Sequence, residues 1–171
     1  MTTPFDHTPT LSDGVVTLRP LVAEDFEALH AVASDPLIWA QHTAADRHER
    51  DAFRRFFDGA VLGTGGLAVV DTASGGLIGS SRFHGYDPAV SEVEIGWTFL
   101  ARPYWGGATN GRVKRLMLDH AFRWVERVVL LAAPTNLRSR RAIAKIGGVE
   151  RGMRPNARGE PSVEYVVERP S

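Results

Sequence analysis

The sequence predicts one mixed-sheet α/β domain, and three observations carry the prediction. Three β segments follow in close succession between Leu67 and Leu100, with turn chemistry at 72–76, and form an antiparallel meander. From Ala101 the order changes to loop, amphipathic helix and buried strand, a βαβ crossover that requires parallel neighbours. The length of 171 residues, with 43% hydrophobic and 23% charged residues, suits one compact core and is too apolar for a disordered chain.

Residues 1–10 are polar and rich in Thr and Pro, without the basic-then-apolar order of a secretory signal, and are expected to be disordered. A turn at Asp13-Gly14 leads into a short strand over 15–19, which Pro20 stops. Phe26, Leu29, His30 and Ala33 fall at helical spacing in a helix over 23–33, ended by Asp35-Pro36. A second helix spans 46–57, with Phe53, Phe56 and Phe57 on one side and charges opposite, and 59–66 is a loop. Strands over 67–71, 77–84 and 92–100 make the meander. Val113, Leu116, Met117, His120, Ala121 and Trp124 recur at i, i+3, i+4 and i+7, the clearest helical signal in the chain. A buried strand over 127–132 and a short helix over 139–146, stopped by Gly147-Gly148, precede a hairpin of 149–153 with 162–168.

Composition narrows the function. Lys+Arg and Asp+Glu both total 20, so the formal charge is zero, against both a dedicated nucleic-acid binder and a polybasic membrane anchor. The chain has no cysteine, which removes disulfides, thiolate metal sites and a Cys nucleophile. No stretch approaches the roughly 20 apolar residues of a membrane-spanning helix, and cytoplasmic residence is expected. His42, Asp46 and His48 lack sustained metal-ligand spacing, so no metal is expected.

The segment Trp105-Gly-Gly-Ala-Thr-Asn110 stands directly before the long helix. A helix start offers unpaired N–H groups and a partial positive charge, and Gly106 and Gly107 remove side chains that would bar a phosphate. Arg112 and Arg115, in the first turns, could reach phosphate oxygens. The spacing fits neither the P-loop nor the dinucleotide fingerprint.

Four segments in order extend this reading: Glu94-Ile-Gly-Trp-Thr-Phe-Leu100, Tyr104-Trp-Gly-Gly-Ala-Thr-Asn110, Asn136-Leu-Arg-Ser139 and Lys145-Ile-Gly-Gly148. Together they resemble the GNAT superfamily of acetyl-CoA-dependent N-acetyltransferases, most of all the branch of ribosomal-protein N-terminal (RimJ/RimL-like) acetyltransferases, over about residues 11–168. The resemblance implies a GNAT fold with splayed central strands. It implies a pyrophosphate cradle on Trp105, Gly106, Gly107, Ala108, Thr109 and Asn110, and backbone groups at Thr98, Phe99 and Leu100 facing the pantetheine arm. Trp105 stands where Gln or Arg is usual, and Ala108 where glycine is usual. A methyl at Ala108 crowds the phosphates if that backbone needs a positive φ.

By the same resemblance Glu94 is the general base that deprotonates the amine, with Glu92 the substitute on the same face. Its competing readings are a solvent-facing strand residue or a partner of Arg82. The tyrosine that many relatives use as acid is replaced by Ile143, and Gly148 stands in place of a usual Phe. Ser139 resembles the serine near the sulfur in ribosomal-type members, against a plain helix N-cap. Asn136 either bonds the pantetheine amide or caps a turn. His84, beside the Glu94 strand, either faces the acceptor or is structural, and His120 belongs to the core. Trp39 and the phenylalanines of the second helix either line an acceptor cleft or pack the core, and the arginines at 138–141 form a solvated helix face.

The expected function is therefore transfer of an acetyl group from acetyl-CoA to a primary amine, on a protein N-terminus or a small molecule, by direct attack in a ternary complex. The alternative is a GNAT-shaped domain that binds acyl-CoA as a sensor or subunit without transfer. Neither nucleic acid nor membrane is an expected partner, and the sequence is compatible with a monomer or a homodimer.

Overall fold

A computed structural model describes residues 3–63 and 65–171. It contains β1 (Leu11–Ser12), β2 (Val16–Pro20), α1 (Phe26–Ala33), α2 (Arg50–Leu62), β3 (Gly66–Asp71), β4 (Leu77–Asp87), β5 (Glu92–Leu100), α3 (Thr109–Ala121), β6 (Arg127–Ala132), α4 (Leu137–Lys145), β7 (Val149–Pro155) and β8 (Pro161–Glu168). All eight strands join one sheet in the order β1-β2-β3-β4-β5-β6-β8-β7. Neighbours are antiparallel except β5 and β6, which the crossover through α3 makes parallel.

Strand alternation sorts the core into two layers. On one face Val113, Met117 and Ala121 of α3 pack against Leu18, Leu67, Phe83, Val93, Ile95, Val128 and Leu130. On the other, Phe26, Leu29, Phe53 and Phe57 of α1 and α2 pack with Trp39, Ala68 and Phe99. Phe99 lies on the opposite face from Ile95, although four residues apart in a strand should share a face. The register explains it: Arg82 opposes Gly96 and Ser80 opposes Phe99, so Trp97 and Thr98 together face the single residue Ser81. That is a β-bulge, and its first residue, Trp97, takes φ +54.

Several boundaries depart from the sequence expectation. α2 runs on to Leu62 through Gly59, because Ala60 is buried in the α1–α2 layer and holds an extra turn there. Thr64, in the expected loop, lies outside the described residues, as do Met1 and Thr2 of the segment expected to be disordered. Within the rest of that segment Phe5 and Pro9 are buried: Phe5 is 5% exposed, its ring stacked on Tyr86 and edge-on to Phe83 and Trp124. His120, in the core as expected, meets the carbonyl of Asp6 at 2.8 Å through Nε2. Trp39, Phe53 and Phe57 are core residues rather than cleft lining. Among the described residues no helix is long and apolar enough to cross a membrane.

Candidate active site

The parallel pair at the centre of the sheet is short. β5 and β6 pair only at Glu92–Arg127, Val93–Val128 and Glu94–Val129, yet β5 continues to Leu100 and β6 to Ala132. β6 stays paired with β8, and β5 with β4, to their ends, so beyond Glu94 the sheet parts between β5 and β6. The result is a fork opening toward the start of α3. Thr98, Phe99 and Leu100 lie on the β5 arm past the last rung. The Phe99 side chain is buried against Trp39, and the Thr98 hydroxyl bonds Ser81 and Lys114, leaving backbone for the fork. Leu100 departs from expectation in one respect: its carbonyl accepts the indole N–H of Trp105 at 2.9 Å.

Trp105 thus anchors the loop to the strand end, its ring covered by the Arg138 guanidinium 3.9 Å from the centroid. Arg138 also donates to the Ile38 carbonyl, so this member of the expected solvated cluster is a structural tie. After Trp105 the chain turns through Gly106, at φ +73, where any Cβ would be strained. Ala108 has φ −86 and ψ −10, an ordinary helical conformation, so the crowding that a positive φ would cause is absent. It is the N-cap of α3 and offers no side-chain cap. The first helical bond is donated by Arg112 to Ala108, and among the described residues the amides from Gly106 to Gly111, Thr109 and Asn110 included, have no protein acceptor. A Cβ built on Gly106 or Gly107 meets nothing within 4 Å, so the loop is open to an anion.

Arg112 differs from expectation. It donates to Asp13 at 2.8 Å across the β1–β2 turn, rather than standing free for a phosphate. The Asp13 carboxyl takes bonds from the Val16 amide, Arg112 and the Val15 amide, which hold it at about 2. Ninety-nine residues separate the two partners, so sequence spacing held no trace of the pair.

At the closed end of the fork, Glu94 lies on the α1–α2 face of β5, opposite His84 of β4. Its Oε2 is 3.4 Å from His84 Nδ1, so its partner is His84 rather than Arg82, whose guanidinium covers the Trp97 ring at 4.7 Å. Burial pushes the Glu94 carboxyl above the ordinary carboxylate range, against the opposing pull of His84. Glu92 is engaged, with Arg127 at 3.2 Å and Arg154 at 2.9 Å. His84, Glu92, Glu94, Leu131, Arg154 and Asn156 line a cleft of about 170 Å³. Thr43, between α1 and α2, bonds Glu160 and Arg158 of the β7–β8 turn.

On the far arm, Asn136 caps α4 by accepting the Ser139 amide at 3.2 Å. The cap is therefore Asn136 and not Ser139, whose half-buried hydroxyl has no protein partner among the described residues. Ile143, at the missing tyrosine, is core. The Trp97 kink and buried Lys114 are features that the motif reading did not single out. Lys114 had a visible signal, a lysine at i, i+3, i+4 and i+7 with Met117, Leu118 and Ala121.

A sheet forked between parallel strands, with an open helix start at its mouth and a partly buried carboxylate at its root, defines an α/β architecture with a cleft at its centre. Residues 16–149 match the acetyltransferase (GNAT) domain family, and the chain belongs to that family. Among solved structures, a GCN5-related N-acetyltransferase from Brucella melitensis superposes with TM-score 0.82 at 22% identity, over 96% of this chain and 80% of that one. A GNAT-family acetyltransferase from Bacillus anthracis gives TM-score 0.74 at 20% identity, over 94% and 98%. Mycobacterium smegmatis RimJ in complex with CoA-disulfide gives 0.69 at 19%, over 94% and 86%. These identities speak for the fold alone. No curated protein matches the sequence.

Proposed function

We propose that the protein transfers an acetyl group from acetyl-CoA to a primary amine by direct attack. The observation that carries this is the fork: the β5–β6 ladder ends after three rungs while both strands continue, and uncapped amides stand at its mouth. Residues 106–111 suit a diphosphate through their free N–H groups, and the β5 arm from Thr98 suits an amide-bearing chain laid along an unpaired strand edge. Bound acetyl-CoA supplies the activated acyl group as a thioester.

The chain's own residues then have separable tasks. Glu94, at the root of the fork, takes a proton from the incoming amine, directly or through water, since amines near pH 7 are mostly protonated. A carboxyl raised by burial is a better match to that proton than an ordinary one. The Ser139 hydroxyl, without a protein partner among the described residues and positioned by the Asn136 cap, is the candidate donor to the departing sulfur. The cleft beside Glu94 takes the acceptor. The resemblance of the motif segments to the ribosomal-protein N-terminal acetyltransferases makes a protein N-terminal α-amine the first acceptor to try.

The test measures CoA-thiol release from acetyl-CoA with a panel of amines: peptides with free and with blocked N-termini, amino acids and polyamines. Release above background for at least one free amine, and none with the blocked peptide, is the expected result. Tight acetyl-CoA binding with no release for any amine would favour a non-catalytic acyl-CoA sensor, a reading in keeping with Ile143 at the tyrosine position.

A further inference from the structure

Lys114 is buried, at 5% exposed, among the apolar residues of the α3 face, and the chemistry above gives it no task. Such a placement is costly. Burial pulls its amine down to about 7, and among the described residues no charged neighbour opposes the shift. An apolar side chain of similar length would serve the packing better, since a buried amine without a counter-charge lowers stability.

Its contacts show where it acts. Lys114 Nζ donates to Thr98 Oγ1 at 2.6 Å, and Thr98 Oγ1 shares a second hydrogen bond with Ser81 Oγ at 2.8 Å. Thr98 is the second residue of the β5 bulge, and Ser81 is the residue that faces that bulge from β4. The three polar groups therefore link α3, β5 and β4 on the β5 arm, past its last rung with β6 at Glu94. The first bulge residue, Trp97, sits at φ +54, a strained conformation for a non-glycine residue that persists only where its surroundings impose it.

We propose that Lys114 is a positioning residue of the fork: through Thr98 and Ser81 it ties the β5 bulge to α3 and keeps the free edge of β5 shaped for the pantetheine arm of the cofactor. The inference rests on the acetyl-CoA reading and assigns to the tether only the arm beyond the diphosphate. The diphosphate loop lies one to two helical turns away and does not depend on it.

The test uses full-length Lys114→Met and Thr98→Val, which cut the tether from opposite ends with side chains of similar size. Calorimetry measures binding of acetyl-CoA and of the phosphorylated adenosine diphosphate half of CoA, and thermal unfolding is followed in parallel. The expected result is a loss of about tenfold or more in acetyl-CoA affinity with the diphosphate half within about twofold of wild type; the thermal midpoint is no lower in Lys114→Met and falls in Thr98→Val, which leaves the buried amine without its partner. Acetyl-CoA affinity within about twofold of wild type would overturn the inference while leaving the acetyl-CoA reading intact. Parallel loss of both ligands with a lowered midpoint would equally overturn it, because that is what a merely structural residue does. Should Lys114→Met not fold, Thr98→Val decides alone. If the wild-type protein binds no acetyl-CoA, the reading itself falls and takes this inference with it.

Discussion

Glu94 is the residue on which chemistry and stability make opposite demands. Burial lifts its folded carboxyl above the ordinary 4.5, whereas in the unfolded chain it returns there. Between those two values the folded state holds more protons, so this residue's contribution to stability falls as pH rises through the window. At neutral pH the ionised carboxylate is therefore a net cost, and Glu94→Gln should leave the thermal midpoint unchanged or slightly raised. Catalysis has the other sign: the base works only when ionised, so turnover declines as pH falls through the raised value. With the amine selected by the thiol-release assay, Glu94→Gln should lower kcat by roughly 10²–10⁴ and remove that acidic limb, with acetyl-CoA affinity nearly unchanged. An intact pH–rate profile in the variant would take Glu94 out of the role of base and leave Glu92, held by two arginines, as a poor substitute.

The strands of the fork were legible in the sequence and their splay was implied by the resemblance, but the form of the bulge in β5 was not. β5 and β6 run over 92–100 and 127–132 as the apolar and alternating patterns predict. In Gly96-Trp97-Thr98 the glycine alone hints at a bulge, since tryptophan is a good strand former and a left-handed φ leaves no compositional mark. The same gap hid the partner of Glu94: alternation puts Arg82 and His84 on one face, and only the register chooses between them. Gly59 misled in another way, read as a breaker although burial of Ala60 continues α2 past it. Gly79 shows how tightly the free arm is held. It opposes Leu100, and a Cβ there would lie 2.0 Å from the Phe99 carbonyl oxygen, a backbone atom with no side-chain freedom to yield. Gly79→Ala must push β5 away from β4 at the mouth of the fork. We expect a stability loss of about 1–3 kcal/mol, read by denaturant unfolding, together with weaker acetyl-CoA binding. An alanine variant with wild-type affinity for acetyl-CoA would mean that the position of the β5 arm does not govern the site.

Across the whole molecule, the two faces of the sheet divide the labour. The α1–α2 face carries Glu94 and the cleft, while the α3 face is closed at its edge by the N-terminal residues, where Phe5 joins Phe83, Tyr86, His120 and Trp124. Phe5→Ala removes a buried ring from that cluster and should cost about 3–5 kcal/mol, a large fraction of a domain's usual stability of roughly 5–15 kcal/mol. Because the ring lies on the face away from Glu94, acetyl-CoA affinity measured well below the unfolding transition should be that of wild type. The linkage between binding and folding then gives a sharper check than either measurement alone. Saturating acetyl-CoA at 100 times its Kd stabilises a folded protein by about 2.7 kcal/mol, whatever the starting stability, provided the site is intact. Wild type and Phe5→Ala should therefore gain the same increment in unfolding free energy, leaving the gap between them unchanged by ligand. A smaller gain in the variant would show that the packing around Phe5 reaches through α3 to the cofactor fork, and that the two faces are energetically one.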